Sequence, residues 1–300
     1  MPNYYIPALF LVPGDNCKDV RVEPYGLVLR KWDVTIFDLA TLETKHSLHI
    51  PYEMMTIFLR NCNMEFVISA PTVEKAKLEA RVLKAMLYIN GVAPHILPFI
   101  STHSINDYAG INCRDSEFLK DTLPNELKEG LTSKDGKVEV WPFELTLQTI
   151  IDGNLILTDT VFKQAVANAR VWSKLNDSNA VLRIMQDSLT TAPLIVDKGQ
   201  SILHIWTAIE SIFPSVNQEI SFRVALYLSQ LNKNINNRYT YFIGVKKAYK
   251  TRSKIAHGNF DEVTIEEWRI AWDLLKDVCR SILERGEIPK EEDLLKELLL

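Results

Sequence analysis

Lys246–Asn259 reads KKAYKTRSKIAHGN and closes a segment whose helical period runs from about Asn237 to His257. At about 100° per residue, Tyr241, Val245, Ala248, Tyr249 and Ala256 form one apolar arc, and Arg252 falls in the middle of it. A guanidinium on an apolar stripe needs a paired charge or a polar pocket. This helix therefore belongs to a packed bundle, and Arg252 marks a polar feature inside it. His257 lies about 140° round from Arg252 on an ideal helix and stands directly before Gly258. A helix that ends there lets the histidine swing toward the arginine. The alternative is that Arg252 snorkels and His257 caps the C-terminus, where a cation is favoured.

A carboxylate partner is available in the helix before. Leu203, Trp206 and Glu210 line up at i, i+3 and i+7, with Glu210 at the edge of an apolar face. Two oddly placed opposite charges in one bundle are expected to meet, as a structural salt bridge or as a carboxylate that orients Arg252 or His257. The local field is one-sided. From Ile220 to Phe260 there is no Asp or Glu, while Arg223, Lys233, Arg238, Lys246, Lys247, Lys250, Arg252 and Lys254 are positive. Lys246, Lys250 and Lys254 share one side at i, i+4 and i+8. Exposed helix faces normally mix signs; this one suits a polyanion.

Outward from this helix, the chain after about residue 155 carries helical periods only. Val161–Trp172 and Ala180–Leu189 are two candidates. Leu194–Phe213 follows with Ile202, Ile205, Trp206 and Ile209 on one face. Ile220, Val224, Tyr227, Leu228 and Leu231 make another stripe. A helix from Ile265 to about Glu284 starts on a Thr264–Glu267 capping box and ends at Gly286 and Pro289. The final PKEEDLLKELLL is a short helix whose leucines need a surface to cover.

The first half mixes strand and helix patterns. GLVLRKWDVTIFDL, MTIFLRN and EFVISA are rich in β-branched and aromatic residues and read as strands, as does the N-terminal Tyr4–Val12 run. Thr72–Asn90 reads as a helix capped by Thr72 and ended by Gly91. Asp135-Gly136 is a turn ahead of strand-like KVEVWPFELTL. The expected class is α+β: a mixed N-terminal domain over residues 1–150, then an all-α helical bundle over 151–300.

Composition narrows the function classes. The 300 residues are 47% apolar and 24% charged, with a net charge of −4, so the chain can bury a core and is no general nucleic-acid coat. Cys17, Cys62, Cys113 and Cys279 are scattered without a CxxC, which points to reduced thiols in the cytoplasm rather than a zinc site or disulfide framework. No stretch approaches the ~20 apolar residues of a membrane helix, and no cofactor motif of the Walker, G-x-G-x-x-G or G-x-S-x-G type is present. His46 and His49 have i, i+3 spacing with Asp38 and Glu43 nearby, but the sequence fixes no third metal ligand. His95 and His103 read as loop residues, and His204 as an exposed one. Tyr239 and Tyr249 have a core reading and a base-stacking one, and the core reading is preferred.

HIWTAIESIF (His204–Phe213) together with KKAYKTRSKIAHGN resembles HEPN domains, helical bundles named for nucleotide binding in higher eukaryotes and prokaryotes. The closest likeness is to the ApeA-like branch, whose motif helix reads about Y-x-x-R-S-x-x-x-H-G; Tyr249, Arg252, Ser253, His257 and Gly258 match it. The resemblance covers roughly the last 140 residues, with a weaker likeness of layout at FVISAPTVEKAKLEARVLKAML. It implies that Arg252 and His257 are the catalytic pair of a metal-independent, cofactor-free endoribonuclease, with Glu210 as the supporting acidic residue. Ser253 stands where many such nucleases have Asn, Asp or His, and suits the ApeA-like branch. The resemblance further implies a homodimer, a role in antiviral defence or a toxin system, and RNA as partner. Lys246, Lys250, Ser253 and Lys254 would then bind substrate. RNA supplies its own 2′-OH nucleophile, so the protein must move protons and stabilise charge. A non-catalytic HEPN module binding nucleotide, RNA or a partner protein is the alternative.

Overall fold

The computed structural model describes residues 1–46, 51–135, 138–140, 154–176, 179–258 and 263–299. Its strands are β1 (Asn3–Leu9), β2 (Val12–Pro13), β3 (Val20–Val22), β4 (Tyr25–Leu29), β5 (Cys62–Ser69), β6 (Phe99–Ser101), β7 (Val138–Val140) and β8 (Ile156–Leu157). Its helices are α1 (Ile36–His46), α2 (Tyr52–Asn61), α3 (Val73–Ile89), α4 (Ile105–Tyr108), α5 (Ile111–Arg114), α6 (Asn125–Lys128) and α7 (Asp159–Asn176). They continue with α8 (Ala180–Thr191), α9 (Lys198–Glu210), α10 (Ile220–Leu231), α11 (Arg238–Ala256), α12 (Ile265–Arg285) and α13 (Glu291–Leu299). The class is α+β, as expected.

The chain divides into two compact units, which are not two consecutive halves. The described residues of the first lie within 1–80, 95–140 and 154–163, and those of the second within 81–94 and 164–299. Residues 81–94 group with the second unit because α3 buries Tyr88 edge-on against Trp272 at 5.5 Å, and Arg280 Nη2 donates to the Ile89 carbonyl at 2.8 Å.

The first unit is built on an antiparallel sheet ordered β3-β4-β5-β1-β6-β7; β2 and β8 pair separately in parallel. β5 is an interior strand, with Ile6 opposite Phe66 on one side and Leu27 opposite Phe66 on the other. Its residues Met64–Ile68 are buried without a break, as in a strand covered on both faces. Among them is a carboxylate. Glu65, 1% exposed, accepts from Ser104 Oγ at 2.6 Å and from the Ile105 N–H at 2.8 Å. Burial pushes its carboxyl up to about 8 despite those two bonds. His95, expected in an ordinary loop, is wholly buried, its ring 5.8 Å from Phe66.

Two strand expectations in this unit give way to helices. TIFDL starts α1: Asp38 accepts from the Thr35 N–H and hydroxyl, both at 2.8 Å, and Leu39 and Leu42 pack with Tyr108 and Ile111. MTIFLRN lies in α2, where Met55 and Phe58 bury at i, i+3. In both, helical spacing of the buried residues outweighs the strand propensity of the isolated segment. EFVISA is strand, and α3 starts as expected, with Thr72 Oγ1 accepting from the Lys75 N–H at 3.2 Å. The KVEVWPFELTL expectation meets β7 at Val138–Val140; its remainder, and His49, lie outside the described residues.

Among the described residues, the named elements of the second unit are all helices. Ile202, Ile205, Trp206 and Ile209 of α9 are each 0% exposed, and α12 packs against them with Trp268 and Trp272, stacked at 5.3 Å. Trp268 Nε1 donates to Ser201 Oγ at 2.7 Å, which fixes α12 on α9. The Thr264–Glu267 capping box is formed, and Gly286 ends α12 with φ 72°, a conformation that disfavours any Cβ. α13 buries Leu294, and Glu297 holds Arg285 through two hydrogen bonds of 2.8 Å. Among the described residues no helix is long and apolar enough to cross a membrane.

Candidate functional site

The site begins where α9 ends. Asp197 caps α9 by accepting from the Gln200 N–H at 2.7 Å, which sets the helical phase thirteen residues later at Glu210. That phase buries Trp206 and Ile209 and leaves Glu210 half-buried beside them. α11 is started by Asn237, which accepts from the Thr240 N–H at 3.0 Å. Only Val245, Ala248 and Ile255 of α11 are buried, so most of this long helix faces solvent. Ala256, expected on the apolar arc, is exposed; Ile255 takes the inward position.

Arg252 and Glu210 meet as their phases suggest. Nη2 donates to Oε2 at 3.1 Å, while Nε stands 3.1 Å from Oε1 in a charge contact without hydrogen-bond alignment. Two aromatic rings wall the pair. The Arg252 guanidinium carbon lies 5.6 Å from the Tyr249 ring, and Trp206 meets that ring edge-on at 5.1 Å. Burial, then the Glu210 charge, raise the Tyr249 phenol above its ordinary pKa. Tyr249 is half-buried, against Trp206 and Arg252, rather than a residue of the fully buried core. The guanidinium has five N–H donors. Those not turned to Glu210 leave capacity for an anion.

His257 follows five residues after Arg252. It forms the C-cap of α11, its N–H donating to the Ser253 and Lys254 carbonyls at 3.2 Å each, with φ −95° and ψ 12°. No hydrogen bond or ion pair joins its ring to Arg252 or Glu210 among the described residues. Its side chain is exposed and forms no hydrogen bond or ion pair among the described residues. Gly258 follows at φ 96° with open space where a Cβ would be.

Lys246, Lys250 and Lys254 are exposed, and Ser253 is half-buried. None of the three lysines forms an ion pair among the described residues, and neither does Arg223 or Lys247. Lys246 Nζ lies 5.5 Å from the Phe242 ring and 6.0 Å from Phe222, which themselves meet edge to face at 5.6 Å. Phe222 is 47% exposed and Tyr239 73% exposed. The preferred core reading of Tyr239 is thus corrected: it lies in the first turn of α11, ahead of the residues that α11 buries. Phe222 was missed in the sequence. Its signal was phase, since it falls outside the Val224, Tyr227, Leu228, Leu231 stripe that α10 buries.

The other side of α11 differs in sign. A groove of about 540 Å³ between α11 and α12 has Val245, Ala248 and Leu274 among its lining residues, and Glu266, Glu267, Asp273 and Asp277 beside them. Glu267 is held ionised by the Thr264 N–H and by Thr251 Oγ1, which donates at 3.0 Å. Lys247 also lines this groove and the Lys254 charge helps to keep Glu267 ionised, so the acids here outnumber the cations, whereas the Lys246–Lys250 side carries no acid of α11. His204 is half-buried rather than exposed; its Nε2 lies 2.8 Å from Thr191 Oγ1, and burial lowers its pKa. Among the described residues no group of His, Cys, Asp and Glu is arranged to hold a metal ion. Comparison of the chain with models of known protein families, with curated proteins and with solved structures finds no match.

Proposed function

We propose that this chain is a HEPN-type endoribonuclease that cleaves RNA by attack of the 2′-OH on the adjacent phosphorus. The observation that carries the reading is His257: a solvent-exposed, unpaired imidazole among the described residues, at the end of a helix whose exposed side bears cations and no acids. In the reaction, one His257 takes the 2′-OH proton as the oxygen bonds to phosphorus. The P–O5′ bond breaks, and a second His257 protonates the departing 5′-oxygen. The products are a 2′,3′-cyclic phosphate and a 5′-OH end. The two histidines come from two copies of the chain, so the working form is a homodimer with both α11 helices lining one cleft. Arg252 stabilises the charge on the phosphorane-like transition state, and Glu210 positions it through the 3.1 Å contacts. The reading extends to a cytoplasmic protein of antiviral defence or of a toxin system.

The test is cleavage of total RNA by the purified chain, with His257→Ala and Arg252→Ala alongside. His257→Ala abolishes cleavage, EDTA leaves it unchanged, and the fragments end in cyclic phosphate. Undiminished cleavage by His257→Ala overturns the mechanism, and a strict Mg²⁺ requirement overturns its metal-independent form. A second reading, a non-catalytic RNA-binding module of the same type, is favoured by one feature: within a single chain no hydrogen bond joins His257 to Arg252. RNA binding without cleavage, and without toxicity on expression that His257→Ala relieves, selects it.

A further inference from the structure

Tyr239, Phe242, Ile243, Lys246, Lys250, Ser253 and His257 fall within about 60° of one line along α11. That line is a stripe running about 27 Å from the first turn of the helix to its C-cap. Its start is aromatic, its middle cationic, and its end is the exposed histidine. Phe222 of α10 widens the aromatic end, its ring against Phe242 and under Lys246. Ile243 is 44% exposed, and Tyr239 and Phe222 more so, which is costly surface to leave in water.

We infer that this stripe binds single-stranded RNA, unpaired bases stacking on Phe222 and Tyr239 while Lys246, Lys250 and Lys254 follow the phosphates toward His257. The inference rests on the RNA-cleaving reading and adds to it a strand type and the path of the strand to His257. Three features of the surface select this occupant. Unpaired bases offer the planar faces that exposed rings stack, whereas a duplex hides them. The cations between rings and histidine form no ion pair among the described residues, which suits a polyanion. A second copy of the chain seated directly on the stripe would set lysine against lysine. Two such stripes across a dimer axis therefore line a cleft that a strand fills.

The probe is a short, labelled 2′-O-methyl oligouridylate, which the chain cannot cleave, used alone and annealed to its complement. The unaltered chain is expected to prefer the unpaired form. Phe222→Ala and Tyr239→Ala should each weaken that binding by at least about fivefold, the lower bound for one stacked base, and leave duplex binding unchanged. Phe222→Trp should retain it. Lys246→Ala and Lys250→Ala should each reduce the salt dependence, log K against log salt, by about 0.7. Equal binding of both probes, or of neither, overturns the inference. So does unchanged affinity in both aromatic variants, or a change in their self-association without a change in RNA binding. Cleavage of total RNA is scored separately. A chain that cleaves while its aromatic variants bind normally fails this inference alone; one that binds as described but never cleaves fails the nuclease reading alone.

Discussion

Removing Arg252 and Glu210 singly and together tests whether the pair is a working part or a surface accident. Their side chains are 28% and 27% exposed, so both charges are largely out of water and neither is free of it. One aligned charge-assisted hydrogen bond contributes about 1.5–3 kcal/mol. The second contact, Nε to Oε1 at 3.1 Å, adds attraction without alignment. Residual solvent screens both. The coupling energy in a double-mutant cycle should then be about 1.5–2 kcal/mol. Each single alanine variant leaves a half-buried charge against Tyr249 and Trp206, and should lose about 2–3 kcal/mol. The double variant should lose less than the sum. Denaturant unfolding followed by tryptophan fluorescence reads this out, since Trp206 lies beside the pair. In the nuclease assay a positioning role for Glu210 predicts that Glu210→Ala lowers kcat with KM little changed, and that Glu210→Gln restores part of it. A coupling energy within about 0.3 kcal/mol of zero, the ordinary error of additivity for independent sites, would refute the reasoning.

Three further outcomes are expected. The raised pKa of Glu65, about 8 folded against 4.5 ordinarily, means its contribution to stability is fully present below pH 4.5 and is lost as pH rises through 8. Unfolding free energies should fall by about 4 kcal/mol between pH 5 and pH 9, and Glu65→Gln should flatten most of that slope; parallel slopes would exclude Glu65 as its source. His257→Ala should leave the unfolding midpoint nearly unchanged, within about 0.5 kcal/mol for an exposed side chain, so loss of cleavage accompanied by a large loss of stability would contradict a chemical role. Thr264→Ala should cost about 1 kcal/mol by opening the capping box of α12, measured by thermal melting, and an unchanged midpoint would show that packing on α9 alone sets that helix.

The helical second unit was legible in the sequence because its information is local. A 3.6-residue period placed Ile202, Ile205, Trp206 and Ile209 on one face, and all four are buried. The T-x-x-E box stated where α12 starts. Phase also put Arg252 on an inward arc and Glu210 at a facing edge, and the two are in contact. The first unit was less legible. TIFDL and MTIFLRN carry strand-forming residues, yet they are helices because Leu39, Leu42, Met55 and Phe58 bury at helical spacing. Nothing in the spacing of EFVISA marks Glu65; its partners Ser104 and Ile105 arrive from 39 and 40 residues further along the chain.

By itself, then, the sequence determined the class, the helical phases, the pairing of an inward arginine with a carboxylate, and the acid-free run from Ile220 to Phe260. These are properties of spacing and charge order along the chain, and they survive any arrangement of the helices. Only the tertiary structure decided that Tyr239 and Phe222 stay in water, that Lys246 lies against two rings, and that His257 is left exposed. Exposure depends on which neighbours arrive from distant parts of the chain, and no local period encodes that. KKAYKTRSKIAHGN is thus read twice: along the helix it names its residues, and around the helix the fold divides them between a half-buried ion pair and an open cationic stripe.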